Sequence, residues 1–234
     1  GEGWRIDGVK TMIVAAPWAD RLIVAARTAG QAGEADGLSL FVVDPASAGV
    51  TLHPYPTIDG RRAADIEFAA VAVPAEAMIG PEGGALPLLE AMRDRAIAAQ
   101  AAEAVGLLDK LLADTVEYTR QRSQFGQPIA SFQVLQHRMV DMYRQVEMVR
   151  SAAILAALKL DGDPLGRARA ASAAKVTVAN ACRFVGQNAV QLHGGMGMTD
   201  ELPIGHYFKR ATLIESDHGS ADWHLARYAA LAAA

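Results

Sequence analysis

Near its end the chain reads LIESDHGSADWH, from Leu213 to His224. Glu215, Asp217 and His218 fall within four positions, followed by Gly219 and Ser220. A carboxylate beside an imidazole is material for general acid–base chemistry, because histidine titrates at about pH 6.5 and small changes in its surroundings move it across neutrality. The same residues suit a plainer role. Asp217 or Ser216 could accept hydrogen bonds from the first backbone N–H groups of a final helix, leaving His218 merely polar. On this stretch alone both readings stand.

Two other places could bind a ligand. Arg122 closes a helical pattern and is followed by Ser123, Gln124, Phe125 and Gly126, so a cation, two hydrogen-bonding side chains and an aromatic share one corner. A guanidinium matches two phosphate oxygens at once, and an aromatic can pack on a planar ligand. The alternative is a favourable charge at a helix C-terminus beside a hydrophobic plug. The second place is QLHGGMG, where glycines past a helix end admit left-handed backbone and let a ligand approach bare peptide groups. His193, a lone histidine there, reads as structural. There is no Gly-rich phosphate loop of the Rossmann or P-loop type and no His/Cys/carboxylate set with metal spacing, so no metal is expected.

The elements that must position these residues come in two kinds. Up to about residue 84, short apolar runs alternate with turn residues: WRIDGVKTMIVAA with Asp7-Gly8 as a hairpin signal, RLIVAART, LSLFVVD, VTLHPYPT and ADIEFAAVAVP. They predict a small antiparallel sheet or barrel, with the loop at 29–37 as its most flexible part. From residue 85 the pattern turns helical. Helices are predicted over about Leu86 to Arg122, Ser131 to Leu160, Leu165 to Leu192 and Ser220 to Ala233, forming an antiparallel four-helix bundle. The fold class is therefore α+β, with a β-domain at 1–84 and a bundle at 85–234.

Composition agrees with a globular chain. Of 234 residues, 51% are hydrophobic and 21% charged, enough for a sizeable core. A net charge of −4 gives no electrostatic reason to expect nucleic acid. No apolar run approaches the length of a membrane-spanning helix. One cysteine, Cys182, excludes an internal disulfide framework and fits a reducing, cytoplasmic setting, where buried packing is its expected role. The GEGW opening reads as the middle of something longer.

In order, GEGWRIDGVKTMIV, PWADRLIVAART and IEFAAVAVPAEAMIG, followed by RQRSQFGQPIASFQVLQHRMVDM and AVQLHGGMGMTDELPIGHYFKR, resemble the middle β-domain and C-terminal bundle of the acyl-CoA dehydrogenase family. QFGQPI with its downstream FQ, together with QLHGG, carries most of that likeness. The family's N-terminal helical domain has no counterpart here, so the resemblance implies a fragment of a longer protein. It also implies FAD as cofactor, an acyl-CoA thioester as substrate, α,β-desaturation as reaction, an electron-accepting protein or oxygen as partner, and a homo- or hetero-oligomer. In the family the corner reaches a neighbouring subunit's FAD. By resemblance Arg122, Gln124 and Phe125 would make that contact, Ile129, Phe132 and Leu135 would line the approach, and Gln191, Gly194 and Gly195 would meet the adenosine end.

The resemblance also shows departures. The family's catalytic glutamate often precedes Gly-Thr at the start of the last helix, and here His218, Gly219 and Ser220 occupy those places. Ser220 keeps a hydroxyl for flavin, but the usual base is absent. A second family position before an arginine offers Asp94, ahead of Arg95, and an apparent insertion of about two residues makes Glu103 another candidate. Where members have Lys-x-Trp-Ile-Thr, this chain has Lys10-Thr11-Met12-Ile13-Val14. The expectation is either a catalytic acyl-CoA dehydrogenase chain with His218, Asp94 or Glu103 as base, or a non-catalytic partner that lends FAD contacts to a neighbour. A related acyl-CoA oxidase-like flavoenzyme is the further alternative.

Overall fold

A computed structural model describes residues 3–233, so the first two residues of the GEGW opening and the outermost limits of both expected domains lie outside the described residues. The chain divides into two compact units, one ending at Glu90 and the other beginning at Ala91.

The first unit contains two three-stranded antiparallel sheets. Strands β1 (Trp4–Val14), β5 (Arg62–Val73) and β4 (Val50–Pro56) form one, in the order β1-β5-β4; β2 (Leu22–Arg27), β3 (Leu38–Val43) and β6 (Met78–Ile79) form the other. Alternating apolar residues turn to a shared core of Ile6, Leu22, Val24, Phe41, Val43, Ile66, Phe68 and Val71. Asp7-Gly8 does not turn a hairpin as predicted. It is a bulge within β1, where the register against β5 shifts between Ile6 and Gly8. The Asp7 carboxylate accepts from the Ala70 backbone N–H at 2.7 Å, so the bend remains inside one sheet. At the loop 29–37, Arg27 donates to the carbonyls of Glu34 at 2.7 Å, Asp36 at 2.7 Å and Ala29 at 3.2 Å.

The second unit is helical. Helix α1 (Leu86–Gln121) begins in the first unit and supplies the second with a buried stripe, Ile97, Ala101, Ala104, Leu108 and Leu111, at the spacing of one helix face. A short hairpin of β7 (Ser123–Gln124) and β8 (Gln127–Pro128) leads to α2 (Gln133–Leu158), then α3 (Pro164–His193). Asp163 caps α3, accepting from Gly166 N–H at 2.7 Å with Pro164 at the first helical position. The core joins Leu108 and Leu111 of α1 to Met142, Val146 and Val149 of α2 and Val178, Cys182 and Val185 of α3. Burial raises the Cys182 thiol to about 12, so it packs as a small apolar group.

The architecture is the α+β arrangement expected from sequence, with one correction. A helix absent from the prediction, α4 (Ile204–Ser216), precedes the last one, α5 (Ala221–Ala233), and both pack on α3. Ala98 of α1, Ala156 of α2 and Ala174 of α3 form a small cluster of their own. Among the described residues no helix is long and apolar enough to cross a membrane, and no group of three or more His, Cys, Asp or Glu could hold a metal ion.

Candidate functional site

Two recesses in the helical unit gather most of the predicted residues, but not Phe125, Phe132, Leu135, Asp94 or Glu103. The first lies where α1 and α3 end. Arg122, Gln124 and Ile129 line one side; Gln191, Gly194 and Gly195 line the other, and the space is about 500 Å³. The corner and the glycine break, far apart in sequence, therefore line one recess. Tyr118 and His193, which were not predicted to bind, line it as well. Their rings stack at 4.3 Å, and His193 is buried with Nδ1 2.8 Å from the Ala189 carbonyl. A carbonyl only accepts, so that nitrogen carries the proton and the ring is fixed in place.

The two glycines have open space beside them. Gly194 ends α3 with φ of 58°, and a Cβ added at Gly194 or Gly195 would meet nothing within 4 Å. At the hairpin tip both turn residues, Phe125 and Gly126, have positive φ, 55° and 81°, as a type I′ turn requires. Phe125 is 91% exposed there, touching Phe132 edge to face at 6.2 Å. Neither phenylalanine lines the recess. Leu135 lies apart too, packed against the bundle core.

The second recess, about 320 Å³, lies at the α4–α5 turn and is lined by Arg93, His218, Gly219, Ser220 and Trp223. His218 is exposed and has a positive φ of 60°. Neither Asp217 nor Ser216 caps the last helix. Ser220 does, its hydroxyl accepting from the Trp223 backbone N–H at 3.2 Å, because the left-handed step at His218 and Gly219 carries the chain past Asp217 before α5 starts. Asp217 accepts instead from Gln100 at 3.0 Å and Arg210 at 3.5 Å. Glu215 pairs with Arg183.

The two other carboxylate candidates line neither recess. Asp94 is fully buried, bonded to Arg227 at 2.9 Å and Arg167 at 3.4 Å. Glu103 accepts from Nε and Nη2 along one edge of the Arg210 guanidinium, at 2.6 and 2.7 Å. These are geometries of ion pairs that tie helices together. In the first unit, Met12 takes a positive φ of 55° and its N–H donates to Asp65 at 2.8 Å; Met12 and Val14 are both exposed.

Sequence reasoning passed over a buried cluster beneath the second recess. Lys175 on α3 is 1% exposed and donates to the carbonyls of Ile214 and, at 3.2 Å, Glu215, the last turn of α4. Burial pulls its ammonium down to about 8, against the neighbouring Asp217, Cys182 and Glu215, which pull the other way. Its signal was a single charge within AASAAKVTVANAC, between Arg169 and Arg183.

Residues 91–232 match the acyl-CoA dehydrogenase C-terminal domain, and residues 1–71 match the middle domain. The chain therefore belongs to the acyl-CoA dehydrogenase family. It is 30% identical over 226 residues to a short-chain-specific acyl-CoA dehydrogenase of Megasphaera elsdenii, covering 95% of this chain and 58% of that protein. The butyryl-CoA dehydrogenase structure from the same organism superposes with a TM-score of 0.89 at 29% identity, over 98% of this chain and 60% of that one. A structure of the ChsE4-ChsE5 complex from Mycobacterium tuberculosis gives a TM-score of 0.88 at 28% identity, over 100% and 61%. The chain thus spans about three-fifths of the length of the relatives it matches.

Proposed function

We propose that the chain is part of an FAD-dependent acyl-CoA dehydrogenase, acting in α,β-desaturation of an acyl-CoA thioester. The observation that carries this reading is the convergence of Arg122, Gln124 and Ile129 with Gln191, Gly194 and Gly195 in one open recess. The residues fit a dinucleotide: a forked cation suits a pyrophosphate, the amides suit polar edges, and two glycines expose backbone where added side chains would have blocked nothing of the protein's own. Phe125, almost wholly exposed on a rigid turn, is shaped to meet a group outside its own chain. When bound, FAD supplies the acceptor for the hydride that leaves the β carbon as a base removes the α proton. The chain's own part is to orient the cofactor from the corner and the glycine break and to present the Ser220 hydroxyl at the start of α5.

A second reading is favoured by specific observations: the chain is the non-catalytic member of a mixed assembly and lends its FAD contacts to a neighbour. The glutamate position holds an exposed histidine, His218. Asp94 and Glu103 are engaged in ion pairs, and Met12 and Val14 replace the tryptophan and threonine that face flavin in the family pattern. The ChsE4-ChsE5 relative is itself a complex of two named chains. Purification of the longer protein alone and with a candidate partner separates the readings. A yellow homo-oligomer bleached by acyl-CoA supports the catalytic chain. A colourless preparation that turns yellow only on mixing supports the partner role. Retention of no flavin in either preparation refutes both.

A further inference from the structure

The turn that carries His218 and Ser220 is held from below by His224, in the first turns of α5. His224 is fully buried. Its Nε2 lies 2.9 Å from the His218 carbonyl oxygen and its Nδ1 3.2 Å from the Ser172 hydroxyl on α3. The carbonyl only accepts, so Nε2 carries the hydrogen. In the neutral ring Nδ1 is then an acceptor, and the Ser172 hydroxyl is its donor. The Ser172 oxygen in turn accepts from Arg227 Nη1 at 3.1 Å, and that nitrogen also donates to Asp94 at 2.9 Å. From Arg227 the donors run one way, through the Ser172 hydroxyl and the His224 ring to the His218 carbonyl, while Arg227 also donates to the Asp94 carboxylate on its other side. Burial, with the nearby charges of Arg227, Lys175 and Arg93, keeps the ring uncharged. The turn also lies close on the ring: a Cβ at Gly219 would come within 3.0 Å of His224 Nε2 and 3.1 Å of Trp223 Cε3.

We infer that His224 is a positioning residue: as the neutral Nε2–H tautomer it fixes the left-handed turn at residues 218–220, and so sets the direction in which His218 and Ser220 face a ligand in the recess they share with Arg93 and Trp223. That the ligand is a flavin or an acyl thioester rests on the function proposed above; the positioning itself does not. If His224 merely filled space, an apolar residue of similar size would serve as well. The two roles separate through His224→Gln, whose amide can donate to the carbonyl and accept from Ser172, and His224→Leu, which keeps bulk without either bond.

The test begins with nitrogen-15 histidine NMR of the chain. His224 is expected as the neutral Nε2–H tautomer at pH 7, with the His218 ring signals preserved in His224→Gln and displaced in His224→Leu. A protonated or Nδ1–H ring at position 224, or His218 signals identical in all three proteins, overturns the inference. Should His224→Leu not fold, the tautomer in the unsubstituted chain decides alone. In the flavin-containing assembly, His224→Leu is expected to lower kcat on the order of tenfold or more, with KM for acyl-CoA and bound FAD unchanged, and His224→Gln to recover most of it. Equal kcat in the two variants also overturns the inference. An unsubstituted assembly that binds no FAD instead refutes the proposed function, and the spectra still decide the positioning role.

Discussion

The ring of Tyr118, in the last turn of α1, stacks on that of His193, at the end of α3, with centroids 4.3 Å apart and planes inclined by 28°. This contact joins the helix leading into the arginine corner to the helix ending in the glycine break. It therefore couples the two sides of that recess. A double-mutant cycle with Tyr118→Leu and His193→Leu should give a coupling energy of about 0.5–1.5 kcal/mol in chemical denaturation. Strict additivity would show that the two sides are held independently.

Arg122 tests whether the recess binds phosphate oxygens. Arg122→Lys keeps the charge but loses the fork, so FAD affinity of the assembly should fall roughly tenfold, with Arg122→Ala lower still. Thermal stability should barely move, because the side chain is exposed at a helix end. Titration of the apo-assembly with FAD, followed by flavin fluorescence, reads the effect. Unaltered affinity in Arg122→Ala would remove the corner from the site.

The adjacent glycines should separate backbone strain from ligand approach. Gly194 combines a φ of 58° with a ψ of −137°, outside the left-handed helical basin and nearly closed to any residue but glycine, so Gly194→Ala should lower stability by about 1–3 kcal/mol. Gly195 lacks a positive φ and has open space around it. Gly195→Ala should therefore leave the melting temperature unchanged and still weaken FAD binding. Full affinity in Gly195→Ala would mean that no ligand comes close to that backbone.

Asp94 illustrates both what the sequence made legible and where it stopped. Long helices with regular apolar faces were readable, and α1 and α3 fall within one or two residues of their predicted limits. The corner and the glycine break were readable only through the resemblance of QFGQPI and QLHGG, since an arginine or a glycine at a helix end is ordinary by itself. The helix Ile204–Ser216 was not, although Ile204, Ala211 and Ile214 mark one face of it: thirteen residues between a proline and the turn at 217–220 show too few repeats. Asp7-Gly8 misled because the same dipeptide serves a hairpin or a bulge, and only the partner strand decides between them. For Asp94, chain position alone cannot show that Arg167 and Arg227 enclose it. Asp94→Asn should cost about 3–5 kcal/mol of stability, as expected when one partner leaves a buried ion pair. A stable Asp94→Asn protein with abolished turnover would restore the carboxylate as a base.

Lys175 gives a pH dependence whose sign follows from its burial. In the folded chain its ammonium releases a proton near pH 8, whereas an unfolded lysine holds it to about 10.5. Below pH 8 both states carry the charge, and the desolvation cost is fully present. Between pH 8 and 10.5 the unfolded state binds more protons, so folding stability rises with pH, by at most roughly 3 kcal/mol. Lys175→Met lacks this rise. Its loss of donors to the Ile214 and Glu215 carbonyls is offset by removing a buried charge, so near pH 7 it should lie within about 1 kcal/mol of the parent. The neighbouring Cys182 thiol, pushed up to about 12, acts in the opposite sense above its ordinary value of 9.0, and largely cancels because both proteins contain it. Urea denaturation of parent and variant at pH 7, 8, 9 and 10 should show the parent gaining steadily on Lys175→Met. A constant gap across that range would mean that Lys175 keeps its proton in the fold, held by the α4 carbonyls and by Asp217.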